Sequence, residues 1–342
     1  MTNNINPRLN KLISPVSPQK YTIDQLVDGI LNGERLKLSK AITLIESSLE
    51  TDRLKADKII EKILPYTGKS YRIAISGVPG VGKSTFINTF GKFLLNKGYK
   101  IAILAIDPSS ELSKGSILGD KYRMPDLSGH KNVFIRPSPN SGIPGGVAAK
   151  TRETILLCEA AGFNIIIVET VGVGQSETAA ASMTDLFLLL MASGTGDQLQ
   201  GIKRGIMEVA DILIFTKYDG INKKRIDYEI KQFENILNLL PQKNSGWKPI
   251  VTAVSAIENF GIEKLWKYIT DYFSLIKNNG FFIKNRQLQR IKWFYEIIDF
   301  LVKDKLKRHL KNELKHIENQ IFNNKIYPYK AAYNLLNKIL KF

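Results

Sequence analysis

Two hydrophobic rhythms divide the chain. Across residues 22–64, apolar side chains recur every three or four positions, at Leu26, Ile30, Ile42, Ile45, Leu49, Ile59, Ile60, Ile63 and Leu64. That is the period of amphipathic helices. Gly33 and Leu38-Ser39 punctuate the run, and Ser39 is expected to cap a helix start. From Ser70 the rhythm changes. Short apolar runs at 72–75, 101–106, 133–135, 165–168, 186–190, 212–216 and 250–252 alternate with helical patterns such as 84–96, 148–161, 201–210 and 223–240. Such runs predict an α/β fold with a mostly parallel sheet covered by helices on both faces. A helix around 263–273 closes this part. Beyond Asn278-Asn279-Gly280, the series Leu288, Ile291, Tyr295, Ile298, Val302, Leu306, Leu310, Leu314, Ile317 and Ile321 predicts one stripe on a single helix of about nine turns. A shorter helix is expected over 329–340. Three parts follow: a flexible lead and N-terminal helical segment (1–68), the α/β domain (69–275), and a C-terminal helical arm long enough for a dimer contact (276–342).

Gly77-Val78-Pro79-Gly80-Val81-Gly82-Lys83-Ser84 sits between the first strand pattern and a helix beginning near Thr85. It satisfies G-x-x-x-x-G-K-[ST] in full. Glycines let backbone N–H groups approach phosphates closely, and the helix N-terminus favours an anion. Residues Gly77 to Thr85 are therefore expected to cradle a nucleotide, making the α/β domain a P-loop NTPase. Lys83 would reach the β- and γ-phosphates and Ser84 would hold Mg²⁺.

Three strand ends carry further chemistry. Asp107 ends the second strand, where carboxyl ends of strands face the ligand crevice, and is a candidate Mg²⁺ ligand. Glu169-Thr170-Val171-Gly172 ends another strand. There the acid can sense the metal and the Gly172 N–H the γ-phosphate, so hydrolysis would release the loop. Gln175 is the polar side chain of this loop and could orient water only if the loop folds inward. With Lys83 and Glu169 it completes the candidate catalytic set. Thr216-Lys217-Tyr218-Asp219 resembles the guanine-reading Asn-Lys-x-Asp motif with Thr in the first place. Asp219 can accept from guanine N1–H and the exocyclic amine, a donor pair adenine lacks. The Lys217 stem would lie along the base. Ser255, Ala256 and Ile257 follow a later strand, where a loop supporting the base is expected. The Thr at 216 is expected to lose an amide that braces neighbouring loops.

Composition narrows the classes. The formal charge is +17, and residues 273–342 carry fifteen Lys/Arg against five Asp/Glu. No nucleic-acid motif accompanies this charge, so a solvated basic helix face is expected rather than a nucleic-acid partner. No apolar run approaches the ~20 residues of a membrane span, so no membrane partner is expected. The start of the chain has no apolar signal core. The single Cys158 suits a reducing, cytoplasmic setting. His130, His309, His316 and Cys158 give no metal-binding spacing.

With these motifs assembled, the chain resembles the methylmalonyl-CoA mutase-associated GTPases (MeaB/ArgK type) of the SIMIBI class of P-loop proteins. The blocks that carry the resemblance include Asp107-Pro108-Ser109-Ser110, Gly115 to Lys121, Arg136-Pro137-Ser138-Pro139 and Gly145-Gly146-Val147-Ala148. It continues through Thr151-Arg152-Glu153-Thr154, Cys158 to Phe163, Glu169 to Glu177, and Gly196 to Lys203. The resemblance implies slow hydrolysis of GTP to GDP with Mg²⁺. It also implies assistance to an adenosylcobalamin-dependent acyl-CoA mutase, by gating cofactor loading and protecting the mutase, and a homodimer joined by the C-terminal arm. It places Asp107, Asp120 and Glu169 beside Ser84 at the metal. It makes 196–205 a switch that reports nucleotide state, with Asp197, Gln198, Gln200 and Lys203 facing the partner. Glu111-Leu112-Ser113-Lys114 departs from a stretch that is more often Thr/Gly-rich in the family. The alternatives are a metal-delivering SIMIBI GTPase, which usually shows His-rich tails or paired cysteines absent from this sequence, and a P-loop kinase. Asp219 and the Glu169–Gly172 loop favour GTP hydrolysis.

Overall fold

The computed structural model of the protein describes residues 21–106, 124–137, 146–170, 175–194 and 204–340. They fall into two compact units, residues 1–283 and 284–342. The first is organised by seven parallel strands: β1 (Tyr71–Gly77), β2 (Ile101–Ile106), β3 (Val133–Arg136), β4 (Ile165–Thr170), β5 (Leu186–Met191), β6 (Ile212–Phe215) and β7 (Ile250–Ala253). Their spatial order is β3-β2-β4-β1-β5-β6-β7. β4 and β5 are buried at every position, as strands covered on both faces must be.

β1 lies at the centre, with Ile75 opposite Glu169 of β4 and Gly77 opposite Leu190 of β5. Side chains alternate across a strand, so the sheet has two distinct faces. Ile73, Ile75, Ile165, Ile167 and Leu188 pack with Phe86, Phe90 and Leu94 of α4 (Lys83–Asn96). Leu265, Ile269 and Phe273 of a later helix (Ile262–Asn278) complete that layer. Ala74, Val168, Phe187 and Leu213 belong to the opposite layer. It is covered by α5 (Gly146–Ala160), α6 (Gln175–Ala181), α7 (Arg204–Val209) and α8 (Lys223–Asn238). The helix Ile262–Asn278 is α9.

The N-terminal helices α1 (Ile23–Leu31), α2 (Arg35–Glu46) and α3 (Glu50–Ile63) join this second layer through Leu26, Ile30, Ile42, Ile45 and Ile59. Thr22 caps α1 by accepting from the Gln25 N–H, while the Gln25 side chain accepts from the Thr22 N–H, a reciprocal capping box. The helix start expected at Ser39 is corrected. α2 begins at Arg35, after Gly33 in the left-handed region, and the Ser39 carbonyl accepts from the Thr43 hydroxyl inside the helix. The turn at Asn32–Glu34 sets the boundary, and a mid-helix serine is tolerated once the apolar stripe is committed.

Ion pairs dock α5 onto its neighbours. Arg53 of α3 grips Glu153 through two hydrogen bonds of 2.9 and 2.6 Å. Burial raises the Glu153 pKa, and Arg53 pulls it back. Arg72 of β1 makes a two-bond clamp on Glu159 at 2.9 and 2.8 Å, and the same carboxylate accepts from the Gly68 N–H and the Ser70 hydroxyl. Cys158 is fully buried, and burial pushes its thiol pKa up, so it is an inert core side chain.

The second unit contains most of α10 (Phe281–His309), then α11 (Lys311–Phe322) and α12 (Pro328–Leu340). The single nine-turn helix is therefore corrected to two. At Leu310 the backbone leaves the helical basin (φ −114°, ψ 23°). Leu310 N donates to Leu306 O at the end of α10, and Leu310 O accepts from Leu314 N at the start of α11, so the two helices meet at this residue. Lys338 of α12 pairs with Glu313 of α11 at 2.6 Å. Among the described residues no helix is long and apolar enough to cross a membrane.

Replacing Glu159 with Ala strands the Arg72 guanidinium in a nearly dry site. The expected cost is about 3–5 kcal/mol of folding stability, read as a lowered midpoint in urea unfolding followed by circular dichroism.

Candidate functional site

The loop from β1 to α4 is built by close approach and by backbone conformation. A Cβ on Gly77 would stand 2.5 Å from the Leu190 carbonyl oxygen of β5, so only glycine fits beside that strand. Gly82 caps α4 with φ 95°, in the left-handed region that glycine adopts freely. The helical ladder opens with Phe86 N donating to Gly82 O. The amides of Lys83, Ser84 and Thr85 therefore precede it and point along the helix axis, where an anion is favoured.

Lys83 is half-buried and folds back on the loop. Its Nζ donates to Gly77 O at 2.6 Å and to Val78 O at 3.3 Å. Burial lowers its pKa, while the carboxylates of Glu169 and Glu177 favour the charged form. A phosphate would give this ammonium a charged partner in place of two neutral carbonyls. Glu169 lies next to the end of β4, nearly buried, opposite Ile75. It shares the α4 side with Ile167, as strand alternation requires.

The second arm of the site leaves β6. Lys217 takes a left-handed backbone (φ 57°) and its Nζ donates to Gly80 O at 3.1 Å. Thr216 is buried, and its hydroxyl lies 2.6 Å from Val81 O and 3.2 Å from Met191 O. The expectation that threonine forfeits the brace between loops is corrected. With one proton to give, the hydroxyl ties the loop after β6 to the P-loop carbonyl at the shorter distance.

Asp219 Oδ2 accepts from the Ser255 hydroxyl at 2.9 Å, and Ser255 Oγ in turn accepts from the Glu258 N–H. Asp219 and Ser255 are 36 residues apart in sequence. The Tyr218 N–H donates to Val254 O, and its ring stacks on Phe260 with centroids 5.1 Å apart. Thr89 of α4 donates to Ala256 O at 3.1 Å, tying this loop to the P-loop helix. Ile257 is largely exposed at the rim. The structure thus gathers Lys83, Lys217, Asp219, Ser255 and Ala256 in hydrogen-bonded loops at the carboxyl ends of the strands.

Asp107, Asp120, Gly172, Asp197, Gln198, Gln200 and Lys203 lie outside the described residues. Gln175 opens α6, and its side chain also lies outside them. Among the described residues no three His, Cys, Asp or Glu side chains are grouped to hold a metal. The C-terminal end of α7, which follows residues 195–203, is firmly anchored. Lys243 Nζ donates to Val209 O, Ala210 O and Asp211 Oδ1, each at 2.7 Å. Asp211 Oδ2 accepts from the Phe187 N–H of β5. Burial raises the Asp211 pKa, and the Lys243 charge opposes that shift. Motif reading missed this anchor, because Lys243 and Asp211 stand 32 residues apart with no pattern between them.

The model of the family described as "Methylmalonyl Co-A mutase-associated GTPase MeaB" matches residues 38–313. The "GTPase ArgK" of Escherichia coli (strain K12) is 43% identical over 272 residues, 80% of this chain and 82% of that protein. The "Methylmalonic aciduria type A homolog, mitochondrial" of Mus musculus is 40% identical over 334 residues, 93% of this chain and 80% of that protein. A solved structure described as "Crystal structure of LAO/AO transport system kinase" superimposes with a TM-score of 0.74 at 34% identity, covering 93% of this chain and 98% of that one. A complete P-loop with its second arm, on a parallel sheet whose family match spans most of the sequence, leaves one assignment: the chain belongs to the methylmalonyl-CoA mutase-associated GTPase family MeaB, a family of P-loop GTPases.

Proposed function

We propose that the protein couples GTP binding and hydrolysis to the care of an adenosylcobalamin-dependent acyl-CoA mutase of the methylmalonyl-CoA mutase type, gating cofactor loading and protecting the enzyme. The observation that carries this reading is the family match over residues 38–313, which runs from α2 through the nucleotide crevice into α11. The mouse relative's name, which refers to methylmalonic aciduria, supports the same client. A homodimer through the C-terminal arm belongs to this proposal.

In the chemistry proposed, water attacks the γ-phosphate in line, and the protein supplies position and charge. Lys83 leaves Gly77 O and Val78 O for the β- and γ-phosphate oxygens, and the amides of Lys83, Ser84 and Thr85 face the same charge. Asp219, held by Ser255, reads guanine with its other oxygen, and the Lys217 stem lies along the base. Gln175 orients water. The Ser84 hydroxyl and the Glu169 carboxylate are hard oxygen donors of the type Mg²⁺ takes, with Asp107 and Asp120 as further ligands. When bound, the ion neutralises charge on the phosphate oxygens. Residues Asp197, Gln198, Gln200 and Lys203 report nucleotide state to the mutase, and the Lys243–Asp211 anchor gives α7 a fixed end. A kinase reading draws support from the solved relative, which is described as a transport system kinase. The Asp219–Ser255 pair argues for a guanine nucleotide and leaves hydrolysis as the simpler use of the P-loop.

GTP and ATP turnover, measured with and without a purified mutase of this type, tests the whole reading. The expected outcome is slow, GTP-selective hydrolysis that the mutase accelerates. Equal use of both nucleotides and no response to the mutase would overturn it. Asp219→Asn should shift preference from GTP toward xanthosine triphosphate by roughly a hundredfold, since two charge-assisted hydrogen bonds are exchanged for amide ones. Competition binding with both nucleotides checks this. Thr216→Val leaves Val81 O without its hydroxyl donor. It should weaken GDP binding about tenfold while keeping the preference over ADP, as titration calorimetry would register.

A further inference from the structure

Three buried polar side chains lie behind the P-loop on the sheet face away from α4. Ser76 is the residue before Gly77 at the end of β1, Thr170 is the last residue of β4, and Glu177 lies in the first turn of α6. Ser76 and Thr170 are fully buried and Glu177 is 2% exposed. Strand alternation puts Ser76 on the side of Ala74, and Thr170 on the side of Val168. Both of those residues belong to the layer that includes Ala180 of α6. The Thr170 hydroxyl donates to Ser76 Oγ at 2.8 Å, and Ser76 donates onward to Glu177 Oε1 across a longer 3.5 Å.

We propose that Glu177 is a positioning residue for GTP hydrolysis: through Ser76 it holds the end of β4 and the start of α6 against the strand that delivers the P-loop. A hydroxyl has one proton, and an ionised carboxylate only accepts. A chain ending on Glu177 therefore has a fixed direction, with each proton committed toward the acid. In a dry interior the 2.8 Å Thr170–Ser76 bond is the firm link of this chain, and the 3.5 Å approach of Ser76 to Glu177 orients it. An apolar side chain would fill the place of Glu177 without the cost of burying a carboxylate. The Glu177 charge also acts on Lys83 from behind the loop, as that of Glu169 does. β4 thus ends in two adjacent residues with separate duties, Glu169 toward α4 and the phosphate side, Thr170 toward Ser76 and α6.

This inference rests on nucleotide hydrolysis at the P-loop and not on the identity of the client. The test is steady-state GTP turnover by the full chain without mutase, comparing wild type with Glu177→Ala, Ser76→Ala, the double variant, Glu177→Gln and Thr170→Val. Misplacing the loop ends should lower kcat about tenfold or more in each alanine variant and in Thr170→Val, with KM changing far less. The double variant should be no worse than either single, since both cut one chain. Glu177→Gln keeps an acceptor of the same reach and should recover most of the loss. Additive losses, a Gln variant as poor as Ala, or unchanged kcat in Thr170→Val would each overturn the proposal. Thermal unfolding accompanies every variant. Where an alanine variant does not fold, Glu177→Gln and the near-isosteric Thr170→Val decide alone. Wild-type protein without GTP turnover would instead overturn the hydrolysis reading itself, and this inference with it.

Discussion

Parallel pairing of β1 between β4 and β5 is the constraint on which the rest depends. Gly77 has no room for a side chain because Leu190 of β5 runs alongside it, and that approach fixes where the P-loop leaves the sheet. The same pairing brings Glu169 level with Ile75, so the carboxylate reaches the loop region from the neighbouring strand. Alternation along β1 and β4 then sorts the side chains. One face holds α4 and the free amides of its first turn, and the other holds Ser76, Thr170 and the helices behind them. Had either strand slipped by one residue, every one of these side chains would have changed face.

Around that centre the strand-end loops are joined by tethers from distant parts of the chain. Thr216 and Lys217 reach back to Val81 O and Gly80 O, and Thr89 reaches across to Ala256 O. The loops after β1, β6 and β7 are therefore one hydrogen-bonded body. The Lys243–Asp211 anchor works at the outer edge in the same manner. A lysine that satisfies two carbonyls at a helix end also neutralises a buried acid. Helix ends favour such cations because of their exposed carbonyls.

The chemistry of the strand-end loops is local and would serve any P-loop GTPase. The second unit is basic, and apolar side chains such as Leu288, Ile291 and Tyr295 stand exposed on α10. The break at Leu310 divides what the periodicity presents as one stripe. Helical spacing is counted along the chain, and a local departure of φ and ψ leaves that count intact.

The sequence by itself determined the parts whose physics is written in neighbouring residues. The P-loop is legible because its glycines answer local backbone demands, and the strands because runs such as Ile165–Thr170 must be buried on both faces. The acid at Asp219 is legible because it follows a strand within a short motif. Tertiary structure decided what depends on partners far along the chain. Thr216 braces a carbonyl 135 residues away, so its hydroxyl is a substitute for an amide only once the two loops are seen together. Ser39 has the chemistry of a helix cap, yet the turn at Gly33 and the packing of Leu38 and Ile42 against other helices placed it inside α2. Ser76, Thr170 and Glu177 carry no pattern of their own. Their chain exists because strand alternation and parallel register bring three separate segments to one buried point.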